Sequence, residues 1–171
     1  MKVLIEDLKE RLLQEVPAAK YIDEDWGQLD YYNPNQPVKW PCILLDITQI
    51  PWTNEGKHVQ LGVAAVSIKV ADMRLSNTNV KAPESQRTKA ASFFDILDDI
   101  HKALHGWTAG SQYGPLTRLM TRKIGRDDGI REFELIYATE ITDDSAKIKT
   151  KDYPMTAQKI KVVVEKLTVQ A

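Results

Sequence analysis

Apolar residues at Leu4, Ile5, Leu8, Leu12 and Val16 step by three and four positions, with Glu6, Asp7, Lys9, Glu10 and Arg11 on the opposite side. That spacing predicts an amphipathic helix over Lys2 to Val16. Pro17 ends it, because proline has no amide hydrogen to donate and clashes with the preceding turn. The turn formers from Tyr31 to Pro37 predict a surface loop. After it, Pro41 to Ile50 is apolar and β-branched, as a strand buried on at least one face would be. Asn54-Glu55-Gly56-Lys57 supplies turn chemistry, and Val66, Ile68 and Val70 then alternate with Ser67 and Lys69, the period of two of a strand with one wet face. Together these segments predict a long antiparallel hairpin. Met73 to Ala82 fits neither period and predicts an irregular excursion.

A second helix opens at Pro83 and Glu84, since proline suits the first helical position and an acid suits the positive end of the helix dipole. Its apolar stripe is Ala90, Phe93, Phe94, Leu97, Ile100 and Leu104, and Gly106 just past the end can take the left-handed closing conformation. A second hairpin follows, from Leu116 to Ile124, through the turn Arg126-Asp127-Asp128-Gly129, to Ile130–Ile141. Phe133, Leu135, Tyr137 and Ile141 alternate there with Glu132, Glu134 and Glu140, so one face packs and the other is solvated or meets a partner. Beyond Thr142 the chain is lysine-rich until Ile160 to Leu167, whose consecutive valines favour a strand. The expected fold is therefore α+β, an antiparallel sheet of two hairpins packed against two helices in the order α-β-β-α-β-β, plus a C-terminal strand. Residues 1–143 form the domain and 144–171 an extension that docks as a strand.

Composition narrows the functions this fold could serve. The 171 residues carry 23 Lys and Arg against 24 Asp and Glu, a formal charge of -1, so no global field draws the chain to nucleic acid or to an anionic membrane. Charge is instead separated locally. Glu6 to Asp30 holds eight acids and three bases, whereas Arg118, Arg122, Lys123 and Arg126 form a basic group with no acid among them. Without interleaved aromatics this group reads as a solvated hairpin or a protein interface rather than a nucleic-acid face. The one cysteine, Cys42, excludes an internal disulfide and any multi-cysteine metal site, and it sits in an apolar strand where an inert buried thiol is expected. Neither a signal segment nor a membrane-length apolar run is present, which predicts a cytosolic protein.

Catalytic chemistry is sparse. Asp98, His101 and His105 occur at i, i+3 and i+7 on one helix face and could present a carboxylate and two imidazoles to a metal, the basis of an alternative reading as a small metal-dependent hydrolase. Histidines near a helix end also arise simply because a cation suits the negative dipole terminus. Asp95, Asp98 and Asp99 read as the solvated side of the same helix. No G-x-S-x-G and no glycine-rich phosphate loop occurs. No cofactor is expected.

One arrangement carries a family resemblance. The short acidic helix, the loop ending in a proline before Ile43-Leu44-Leu45, the hairpin through Val70, the helix closing on Leu104-His105-Gly106-Trp107 and the charged second hairpin together resemble the tail terminator or tail completion proteins of long-tailed bacteriophages. The resemblance covers Met1 to Asp143 and rests on element order more than on a signature. It implies a non-enzymatic α/β protein that forms a ring, usually a hexamer, with other copies of itself, caps the finished tail tube protein, and offers the surface on which the head-tail connector protein docks. It also implies assembly in the bacterial host cytoplasm and residence in the virion tail. The interface residues then expected are Arg118, Arg122, Lys123, Arg126, Asp127 and Asp128, with both Arg122 and Arg126 exposed enough that reversing them to Glu leaves the fold intact. The long Met73 to Ala82 excursion and the chain after Thr142 depart from the pattern.

Overall fold

The computed structural model describes residues 1–30, 38–73, 77–110 and 112–147. Helices α1 (Lys2–Glu15) and α2 (Glu84–Leu104) stand where the apolar periods put them. Six strands follow the order β1 (Tyr21–Glu24), β2 (Cys42–Gln49), β3 (Trp52–Gly56), β4 (Val59–Met73), β5 (Thr117–Ile124) and β6 (Ile130–Asp143), with α2 between β4 and β5. They form one sheet in the spatial order β1-β2-β4-β6-β5, with β3 also paired to β4. Among the described residues no helix is long and apolar enough to cross a membrane.

The sheet corrects the expected fold class. It is mixed rather than antiparallel, because β1 pairs parallel with β2, Tyr21 opposite Cys42 and Glu24 opposite Leu45. Tyr21-Ile22-Asp23-Glu24 is too short and too acidic to read as a strand, since Asp and Glu are depleted in strands. It becomes one by lying against the apolar edge of β2. The first expected hairpin is replaced by three strands. Trp52–Gly56, which carries the residues read as a turn, pairs with Val59–Gly62 instead. The reversal lies at Lys57 and His58, both with positive φ (51° and 63°), the backbone of a tight two-residue hairpin tip. Strand β4 is long enough to pair with β3 through its first residues and with β2 through Ala65–Ala71. The observed order is therefore α-β-β-β-β-α-β-β. The expected C-terminal strand falls beyond residue 147, outside the described residues.

Both helices cover one face of this sheet. Val66, Ile68 and Val70 of β4 lie in register with Tyr137, Leu135 and Phe133 of β6, and Ile43 and Leu45 of β2 with Val70 and Ile68. Leu4, Leu8 and Leu12 of α1 and Phe93, Leu97, Ile100 and Leu104 of α2 close over them in a continuous core. Each such leucine, fully removed from water, contributes about 1.5 to 3 kcal/mol. Phe94, placed in the stripe by its spacing, is half exposed, and Ile96 is buried in addition to the expected residues. The opposite sheet face carries only a small apolar cluster, Leu29, Val38, Cys42, Leu44 and Ala71. Beside it on that face stand Ser67 opposite Ile136, Ala65 opposite Ala138, and the charged pair Lys69 and Glu134.

Candidate functional site

Strand alternation decides which charges meet. On β4, Ser67, Lys69 and Ala71 point away from the helices, and the register sets Lys69 opposite Glu134 and Ala71 opposite Glu132. Arg122 of β5 is likewise opposite Glu134. The result is a depression of about 530 Å³ on the helix-free face, lined among others by Asp25, Asp46, Ser67, Lys69, Arg122 and Glu134. Glu134 is buried at its centre. One carboxylate oxygen accepts the Ser67 hydroxyl at 2.6 Å and the other accepts Arg122 Nε at 2.5 Å. Burial pushes this carboxyl up, but the bonds from Ser67 and Arg122 outweigh it and hold the group below the ordinary glutamate value. Lys69 pairs with Asp25 at 2.6 Å; burial favours the neutral amine, yet the Asp25 carboxylate raises its proton affinity above that of an ordinary lysine.

Arg126 anchors the rim. Its side chain is only 13% exposed and pairs with Asp30 at 2.8 Å, Glu132 at 2.9 Å and Asp128 at 2.6 Å. It also donates to the Leu29 carbonyl at 3.0 Å. Asp128, whose other oxygen accepts the Ile130 amide, is held below the usual aspartate value by the Arg126 hydrogen bond. The β5–β6 turn is thus tied to the segment following β1.

This geometry sorts the expected interface residues. Arg118, Lys123 and Asp127 are exposed, and none of them has an ion-pair partner among the described residues. Arg122 and Asp128 are exposed but engaged within the chain. Arg126 is not an exposed charge at all, which corrects the expectation that it could be reversed without cost. Glu132 and Glu134, read as a solvated or partner-facing row, are also buried. The missed signal lies on β4, distant in sequence but adjacent in the sheet, where Ser67 and Lys69 share the glutamates' face and Lys69 stands opposite Glu134.

The depression does not assemble a hydrolytic site. Ser67 bonds a carboxylate as a nucleophile bonds its base, but Glu134 is pulled low and occupied by Arg122, so it is a weak base for that hydroxyl. The other candidate triad does not converge either. The His101 and His105 rings lie 4.9 Å apart, and His105 Nδ1 accepts the Arg118 amide at 3.3 Å. Burial, then the charges of Arg118 and His105, lower the proton affinity of His101. Among the described residues no group of three or more His, Cys, Asp or Glu side chains is placed to hold a metal ion. Asp95 and Asp98 are exposed, and Asp99 pairs with Lys102 at 2.9 Å. Cys42 is fully buried opposite Ala71 of β4, and burial pushes its thiol up to about 12, which leaves it protonated and inert.

No family model matches the chain, and no curated protein does. Among solved structures, a chain described as "Virion of native gene transfer agent (GTA) particle" is similar, with a TM-score of 0.58 at 12% identity. The match covers 82% of this chain and 95% of that chain. The two share a fold.

Proposed function

We propose that this chain is a structural component of a phage-like virion, a ring-forming protein that caps the tail tube and joins it to the head. The observation that carries the reading is the likeness to a virion chain over nearly that chain's whole length, because a fold retained at such low identity is retained as a shape. The sequence resemblance to tail terminators points the same way by element order. The charged face also suits a scaffold. Its buried carboxylates serve cations within the chain, where they rigidify the β4–β6–β5 platform instead of performing chemistry. The exposed charges, Arg118, Lys123 and Asp127, remain for contacts with other subunits, copies of this chain included, where rim charges set partner choice and association rate.

Antibody labelling of the particles released by a strain carrying this gene tests the reading under the electron microscope. Label at the head–tail junction is expected. Particles that lack the protein, or label confined to the distal end or the capsid surface, would overturn it.

A further inference from the structure

The two ends of the sheet differ in charge and leave their outer edges without a neighbouring strand among the described residues. At one end all of β5 is open, its residues exposed from Thr117 to Lys123, with Leu119 63% and Met120 50% exposed. The Arg118 amide donates to His105 Nδ1 at 3.3 Å. Arg118 and Lys123 supply positive charge there. At the other end β1 carries Asp23 and Glu24, the latter paired with Lys9 of α1 at 2.6 Å, and the half-exposed Trp26 follows it. Natural sheets shield a long apolar edge unless another strand covers it. β5 is shielded in part by its basic residues and by the register irregularity between Arg118 and Met120, yet Leu119 and Met120 stay open beside it.

Charge identifies the cover. Two β5 edges facing each other would oppose Arg118 and Lys123 to their own kind, and two β1 edges would oppose acids, both destabilising across a strand pair. A β5 edge against a β1 edge opposes unlike charges. Strand direction agrees. β1 runs with β2, and each further step through β4, β6 and β5 reverses direction, so β5 runs opposite to β1. Two copies with their helices on the same side therefore meet antiparallel. We propose that β5 of one copy pairs antiparallel with β1 of a second copy, extending one sheet from subunit to subunit. The antiparallel sense brings the Glu24 and Trp26 end of one copy toward Arg118, Leu119 and Met120 of the other. Such a contact is heterologous, and it generates a ring when the rotation closes and a filament when it does not. The proposal rests on the self-assembly part of the reading above and assigns its interface.

A charge swap on the full chain tests it. One variant carries Arg118→Glu and Lys123→Glu, and the other Asp23→Lys and Glu24→Lys. Light scattering after size exclusion reads association, and circular dichroism confirms folding. The wild type is expected to associate and each variant alone to lose at least about tenfold in affinity. An equimolar mixture, which restores opposite charge at every junction, should associate again. Either variant assembling like the wild type overturns the proposal, and so does a folded mixture that stays monomeric. Where a double reversal unfolds, R118E against E24K repeats the swap. A wild type that is monomeric at every concentration and ionic strength defeats the self-assembly reading together with this interface. Filaments that obey the swap uphold the edge pairing and defeat the closed ring.

Discussion

Arg126 shows how far a residue's role depends on its surroundings. Read along the chain it is one of four bases in a polar hairpin, indistinguishable from Lys123. In the fold it neutralises Glu132, whose side chain is only 3% exposed, and reaches two further acids and a carbonyl. Removing one member of a buried ion pair leaves an uncompensated charge, at a cost of about 3 to 5 kcal/mol. Arg126→Glu should therefore lower the denaturant midpoint severely or abolish folding. Lys123→Glu, on an exposed and unpaired side chain, should change stability by about 0.5 kcal/mol or less. Urea unfolding of the two variants followed by circular dichroism compares them directly, and equal midpoints would contradict the assigned roles.

At the level of elements, the helices were legible because their apolar positions repeat over several turns and their ends carry Pro17 and Pro83. Strands β1 and β3 were not, because neither is held by its own composition. All of β3 is exposed, and it persists through the ladder to β4 and through one side-chain contact. Trp52 stands opposite Gly62, where a Cβ would come within 2.7 Å of the indole ring and 2.6 Å of Ile50 Cγ2. An aromatic side chain covering a strand glycine is a known way of pinning register. Gly62→Ala should then cost about 1 to 3 kcal/mol through overpacking and displace the indole. A shift in Trp52 emission, isolated by replacing Trp26, Trp40 and Trp107 with Phe, reports the displacement; an unchanged midpoint and spectrum would mean that the strand gives way freely.

Across the whole molecule, one core joins α1, α2 and strands β2, β4 and β6, from Leu4 to Ile141. No described element has a separate core large enough to survive alone, so thermal unfolding should be a single transition in which far-UV and near-UV signals coincide. Two resolved transitions would show that the β5–β6 half and the α1–β2 half unfold independently. By itself the sequence determined the two amphipathic helices, the strand alternation of β4 and β6, the turn at Arg126–Gly129 and the separation of acidic from basic segments, because each of these is written in periods and dipeptides a few residues long. Tertiary structure alone decided that Tyr21–Glu24 joins the sheet parallel to β2 and that Trp52–Gly56 is a strand, because those pairings are supplied by distant partners. It likewise decided that Glu132 and Glu134 are buried, with the largely covered Arg126 paired to Glu132, while Arg118 and Lys123 remain at an open edge. The physical reason is register: a strand's face is local, but what stands opposite each residue is set only when β4, β6 and β5 align.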